Sequence, residues 1–247
     1  MSKTVNIAWM YPDLLNLHGE RGSVQTFEKR GKAMGMDVKI HRIDSPEGKI
    51  DFSKFDLILF MPGEIKTLSL IKNVLESQMD DLKAYIENGG HIIAVGTTGM
   101  LFAKALERED GSFFQGLGFL DATGKERKYV YGDDLHFRIN NTKMEVFGSQ
   151  IQMVDIAAEN PLGTVIYGHG YNRSGSEGAV YKSLVFSNCL GPVFVKNPWW
   201  CDQILKDIYL KKQGINCNSD YSFETASFNS CLEFTNRKPK GEIYNDI

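Results

Sequence analysis

Short apolar runs alternate with longer amphipathic stretches over the first hundred residues of this chain. Residues 5–10, 37–43, 55–61 and 91–95 have the length and β-branched content of strands. The run His91-Ile92-Ile93-Ala94-Val95 is apolar at all but its first position, as suits a strand covered on both faces. Between these runs the period changes. A helix is predicted over 23–34, with Ser23 as its N-cap and Gly35 as its stop. Over 66–88, Leu75, Met79, Leu82 and Ile86 recur every three or four residues and give a helix one apolar face, closed by Gly89-Gly90. Strands alternating with helices predict a parallel sheet with helices on both faces. Ligands of such sheets bind beyond the carboxyl ends of the strands.

The strand at 91–95 runs straight into Gly96-Thr97-Thr98-Gly99, and a helix is predicted to begin near Met100. A tight strand-to-helix turn is how α/β enzymes present a nucleophile, beside the N–H groups of the new helix. Thr97 is expected at its apex. Further along, residues 126–137 alternate aromatic and polar positions around Gly132-Asp133, as an antiparallel or mixed edge region would. Asp133, Asp134 and His136 read as a polar hairpin turn in preference to a metal triad. A helix over 198–212 has Pro198 in its first turn, and Trp200, Ile204, Leu205 and Ile208 can dock on the sheet. Beyond 213 comes a short helix over 223–234 and a polar end.

Composition narrows the function. The chain has 247 residues, 42% hydrophobic, enough for a sizeable core. Its formal net charge of −3 offers no basic field for nucleic acid or anionic membrane. No apolar run approaches the roughly 20 residues that span a bilayer, and no signal-peptide pattern opens the chain. The four cysteines (189, 201, 217 and 231) and five histidines lack metal-ligand spacing, so neither a metal nor a cofactor is expected. Reduced thiols in a cytoplasm are the expected state.

Several stretches resemble class I glutamine amidotransferases of the cobyric acid synthase group, and most closely GatD-type subunits of lipid II isoglutaminyl synthase. The stretch 89–104 is similar to their elbow, an apolar strand, Cys-Gly-Gly-x-Gln and an apolar helix. Laid on it, Cys falls on Thr97, the glycines on Thr98 and Gly99, and Gln on Leu101. Leu15-Asn16-Leu17, followed by Gly19 and Gly22, resembles the GatD-type opening. Gln115-Gly116-Leu117-Gly118-Phe119-Leu120-Asp121 is the clearest match. The run 177–197 matches again at Glu177 through Lys182 and at Gly191-Pro192, but its general-base His position holds Leu190. Tyr167 through Gly178 resembles a Gly-Tyr-Gly-Asn-Asn stretch and its charged loop.

The resemblance implies a class I glutamine amidotransferase-like (flavodoxin-like) three-layer α/β fold with a mostly parallel central sheet. The amidotransferase-like domain would span 1–212, and 213–247 would be an extension, helical and packed on it or partly mobile. It also implies departures at the site. Met61 and Pro62 stand where the oxyanion strand has glycines, and Ile65 where it has Asp, so only Gly63 of the run remains with Thr98 and Gly99. Tyr129 falls at an Arg position, with Lys128 beside it, and Gln150 and Gln152 fall where the family has Glu and His. Glutamine hydrolysis needs a thiolate, a base and oxyanion donors. Losing single members of such a set costs on the order of 10⁴-fold in rate. The expectation is therefore a glutaminase-silent protein that forms a heterodimer with a Mur-ligase-like (MurT-type) ATP-dependent ligase. The alternatives are changed chemistry in the same crevice through Thr97, Lys128 or Tyr129, glutamine hydrolysis by a non-standard site, and a small-molecule sensor. Cys189, beside the base position, is expected to be a buried apolar group. An exposed apolar patch is expected near the crevice mouth, from 128–137 and 171–178.

Overall fold

The computed structural model describes residues 4–170, 174–213 and 220–237. The first half winds a sheet. In chain order come β1 (Thr4–Met10), α1 (Arg21–Ala33), β2 (Asp37–Ile43), β3 (Leu57–Phe60), α2 (Leu68–Glu76), α3 (Met79–Glu87), β4 (His91–Val95) and α4 (Gly99–Phe102). The chain then changes character, through β5 (Ala105–Glu107), β6 (Phe113–Gln115), β7 (Ala122–Ile139), β8 (Glu145–Ala158), β9 (Gly163–Tyr167) and β10 (Ser176–Glu177). It returns through β11 (Ala179–Tyr181), β12 (Leu184–Ser187) and β13 (Cys189–Leu190), and ends in α5 (Val193–Lys196), α6 (Pro198–Gln213) and α7 (Ser222–Arg237).

Six strands form the central sheet in the order β11-β12-β4-β3-β1-β2. All neighbours are parallel except β11 and β12. Successive side chains of a strand point to opposite faces, so each buried strand feeds two cores. Ala8, Ile58, Phe60, Ile92, Ala94 and Phe186 pack with α2, α3 and α4 on one face. Ile7, Trp9, Leu57, Leu59, Ile93 and Val95 pack with α1 and α6 on the other. This is the α/β class I glutamine amidotransferase-like fold, with its mostly parallel central sheet.

The structure adds detail to some of the expectations from sequence and corrects others. The helix expected over 66–88 is two helices. It breaks at Ser77 and Gln78, where the Gln78 side chain accepts a 2.6 Å hydrogen bond from the Ile50 N–H. The helix after the elbow lasts four residues, because Ala105 already joins a strand. The region after it is not a mere edge: β5 to β10 and β13 build a second, seven-stranded sheet around the long antiparallel pair β7–β8. Asp133, Asp134 and His136 lie inside β7, paired with Gln150, Ser149 and Phe147 respectively, and not in a hairpin turn. The turn comes later, where the Thr142 N–H reaches the Ile139 carbonyl.

The helix expected over 223–234 runs from Ser222 to Arg237. Its Phe228 ring packs edge-on against His136, Phe147 and Trp199. Just before it, the Tyr221 hydroxyl donates to Asp202 at 2.6 Å, and Arg30 makes a forked ion pair with that same carboxylate. Among the described residues no helix is long and apolar enough to cross a membrane.

Candidate functional site

The carboxyl ends of β3 and β4, the loop after β1 and the rim of the second sheet enclose a cavity of about 400 Å³. Pro62, Gly63 and Ile65 come from the loop after β3, Gly96, Thr97 and Met100 from the elbow, and Asn188 and Leu190 from the end of the β12–β13 segment. The second sheet adds Val130, Ile151, Met153 and Ile156. A larger cavity of about 790 Å³ lies around His91, at the opposite end of β4, away from the elbow.

The elbow differs from the sequence reading by one residue. Val95 ends β4 with extended backbone (φ −119°, ψ 133°). Gly96 then turns left-handed at φ +64°, while Thr98 and Gly99 are already right-handed helical. The strained apex of this strand-to-helix turn is therefore Gly96, not Thr97. An ideal Cβ built on Gly96 would lie 3.0 Å from Pro62 Cβ and 3.4 Å from Leu190 Cδ2. The apex thus faces the position expected for the general base, and both are without chemistry: one has no side chain and the other is aliphatic.

Thr97 stands one residue further on, half-buried. Its hydroxyl donates to the Gly63 carbonyl and accepts from the Gly63 N–H at 3.3 Å. That N–H is the donor the sequence reading kept for an oxyanion, and it is already engaged. The neighbouring Pro62 has no N–H to offer. Thr98 points away from the cavity, its hydroxyl 2.9 Å from the Val95 carbonyl and 3.1 Å from that of Phe60. Gly99 lets α4 pass over β12, since a Cβ there would strike the Phe186 ring at 2.2 Å. Of the three expected pocket residues, Gly63 alone lines the cavity.

The four positions expected to recognise substrate are not brought to it either. Between Glu126 and Tyr131 the strand β7 bulges, so that residues 127–130 stand against Met153 alone. The bulge turns Lys128 and Tyr129 outward, Tyr129 being 64% exposed, and leaves Val130 at the cavity. Gln150 and Gln152 lie on the other face of β8 from Ile151. Gln150 is fully buried and holds the backbone of Gly170 through both ends of its amide. Gln152 accepts from Gln150 and donates to Asp155 at 3.0 Å. They clamp the segment after β9. Period-two alternation around Ile151 was the signal that could have separated the two faces.

Two buried carboxyl groups brace the wall of the site. Glu20, in the loop before α1, accepts from the Gly191 N–H at 2.6 Å and from the Ser23 hydroxyl, and burial raises its pKa. Glu177 accepts from the Ser187 hydroxyl and the Asn188 N–H, each at 2.7 Å; burial pushes it up to about 7. Cys189 is completely buried, and burial together with the Glu177 and Glu20 carboxyls pushes its thiol well up. It is no relocated nucleophile. His136 is buried against Glu145 at 3.0 Å, and desolvation lowers its pKa. Among the described residues no group of three or more His, Cys, Asp or Glu could hold a metal.

Exposed apolar side chains do gather at the mouth. Leu17 is 38% exposed, Val130 58% and Ile151 37%. The rest of the expected patch is different: Leu135, His136 and Phe137 are buried, and Tyr171, Asn172 and Arg173 lie outside the described residues.

No protein-family profile matches the chain. It is 23% identical over 251 residues to the GatD subunit of a glutamine-hydrolysing lipid II isoglutaminyl synthase from Streptococcus pneumoniae, covering 97% of this chain and 94% of that one. Two solved structures share its fold. PurLQS from Thermotoga maritima superposes with a TM-score of 0.54 at 9% identity, over 84% of this chain and 98% of that one. The glutaminase domain of Trypanosoma brucei CTPS, with bound acivicin, gives a TM-score of 0.50 at 12% identity, over 87% and 98%. The chain has the class I glutamine amidotransferase-like fold and is distantly similar, at 23% identity, to a GatD subunit.

Proposed function

We propose that this protein is a glutaminase-silent, GatD-like subunit that binds and supports a Mur-ligase-like (MurT-type) ATP-dependent ligase, with a role in modifying cell-wall precursors. One observation carries the silent half of this reading. The elbow apex is a glycine facing a leucine and a proline, so the place for a nucleophile and base holds no group that can attack or accept a proton. The nearest hydroxyl, that of Thr97, is occupied on both sides by Gly63. Changed chemistry through Lys128 or Tyr129 finds no support, because neither lines the cavity.

The partner half rests on the relative, which is a subunit of a synthase, and on the apolar rim of Leu17, Val130 and Ile151. Docking does not depend on the lost thiol and can outlast it. The assembled ligase would draw on free ammonia or another amine. In this proposal residues 1–212 form the amidotransferase-like unit, and 213–247 are an extension held to it through α7. The test is affinity purification of the tagged chain from its native cells. A Mur-ligase-like protein is expected to come out in equimolar amount, and to be lost when Val130 and Ile151 are both changed to Asp. Recovery of the chain alone, with the organism's ligase activity unchanged by its deletion, would overturn the reading.

A further inference from the structure

Among the described residues four that are not glycine have left-handed backbone: Tyr11, His18, Asn141 and Lys182. Asn141 and Lys182 lie between the paired strands β7 and β8 and β11 and β12, where a tight turn closes each hairpin. Tyr11 is completely buried. His18 differs from all three. It stands at φ +60°, is exposed, and lines the cavity at the elbow. The loop around it is pinned. The Leu17 N–H donates to the Pro62 carbonyl at 3.0 Å, the Arg21 N–H donates to the Asn16 side chain at 3.1 Å, and Leu15 is completely buried. Strain of this kind persists only where the surroundings impose it, and it gathers at ligand sites.

The other polar side chains of the cavity are committed or out of reach. Arg108 pairs with Glu126 at 2.6 Å, and Lys66 with Glu64 at 2.5 Å. The Thr97 hydroxyl is held by Gly63, and Asn188 Nδ2 is buried below the surface. His18 makes no hydrogen bond or ion pair among the described residues. An imidazole can take up a proton, and this one would then be a cation with no carboxylate of its own. The wall beside it is apolar, with Met100, Ile151, Met153 and Ile156. A volume of about 400 Å³ falls within the range of small-molecule sites, roughly 300–1,000 Å³. We propose that the cavity binds an aliphatic monocarboxylate, its carboxylate on the His18 imidazole and its chain on Met100 and Met153. An amino acid fits less well, because both carboxylates that could pair its ammonium are already taken. The assignment rests on the silent reading, since an active elbow would need the same space for glutamine. Such a ligand lies behind Val130 and Ile151, which also form the rim proposed for docking.

The test titrates the full chain, labelled with ¹³C at its methionine methyls and histidine rings, with octanoate, and in separate runs with octan-1-ol, acetate and L-glutamine. Octanoate is expected to shift Met100, Met153 and the His18 ring, while Met36, buried between α1 and β2 in the chain, stays put. Octan-1-ol has the same chain without the charge and should bind about tenfold more weakly, the low end for a hydrogen bond to a charged group. Acetate and L-glutamine should move neither Met100 nor Met153. His18→Gly should abolish the preference for octanoate over octan-1-ol and keep the urea midpoint at or above the wild-type value, because φ +60° suits glycine. His18→Asn, which tolerates the same backbone and carries no charge, should abolish the preference as well. No shift of Met100 and Met153 with octanoate, a preference that survives both His18 variants, or shifts that spread to Met36 as a surfactant would cause, would overturn this inference and leave the silent reading standing. Shifts with L-glutamine accompanied by ammonia release would instead overturn the silent reading itself.

Discussion

Gly96 shows how one residue decides what a scaffold can do. At φ +64° a side chain costs about 1–2 kcal/mol through its clash with the following carbonyl. A Cβ would also press on Pro62 at 3.0 Å. Gly96→Ala should therefore destabilise the fold by about 1–2 kcal/mol in urea unfolding; an unchanged midpoint would mean that the left-handed turn is not held. Gly96→Cys combined with Leu190→His should leave glutamine turnover at background. Pro62 still lacks its N–H, and the Gly63 N–H is still held by Thr97. Glu177 makes a second residue-scale prediction. Burial raises its folded pKa from 4.5 to about 7, so the native state binds the proton more tightly than the unfolded chain. Its contribution is then fully present below about pH 4.5 and is lost as pH rises through about 7. Stability of the wild type should fall relative to Glu177→Gln across that window; parallel stability curves for the two proteins would refute it.

At the scale of elements, what could be read from sequence depended on how far pattern alone fixes a structure. β4 was legible to the residue, because a short apolar run lies between glycines that end a helix and open a turn. The pair α2 and α3 reads as one helix, since the apolar spacing from Leu75 to Met79 continues across a break that depends on a distant contact to Ile50. The second sheet was hardest to see. β7 pairs with a strand a hairpin away, and its polar outward positions Asp133 and Asp134 mimic a turn. The family motif located the elbow but missed its apex by one, because backbone handedness is not written in a Gly-Thr-Thr-Gly string. The same limit applied to Gln150 and Gln152, whose type was right for a site and whose face was wrong. The docking of α7 was illegible too. It depends on Asp202, whose carboxylate is 1% exposed and serves both Arg30 and Tyr221. Removing one member of such a buried pair costs about 3–5 kcal/mol. Asp202→Ala should destabilise the protein by roughly that amount and raise protease cleavage before Ser222, as seen by limited digestion and mass spectrometry. Cleavage at the wild-type rate would show that the latch does not hold the helix.

For the whole molecule, the two sheets of an amidotransferase-like fold meet at the crevice. The central sheet supplies the elbow and the loop after β3, and the second sheet supplies an apolar wall and an exposed rim. The proposed silent centre lies in the first and the proposed docking surface in the second. The two halves separate experimentally, because changes at Val130 and Ile151 should cost partner binding while leaving the elbow intact. The most direct measurement is ammonia release from L-glutamine, followed for the purified chain and for its complex with the ligase, beside Thr97→Ala. The account predicts background release in every case, with no difference between the wild type and Thr97→Ala. Turnover above background that requires the ligase, or that Thr97→Ala abolishes, would contradict it.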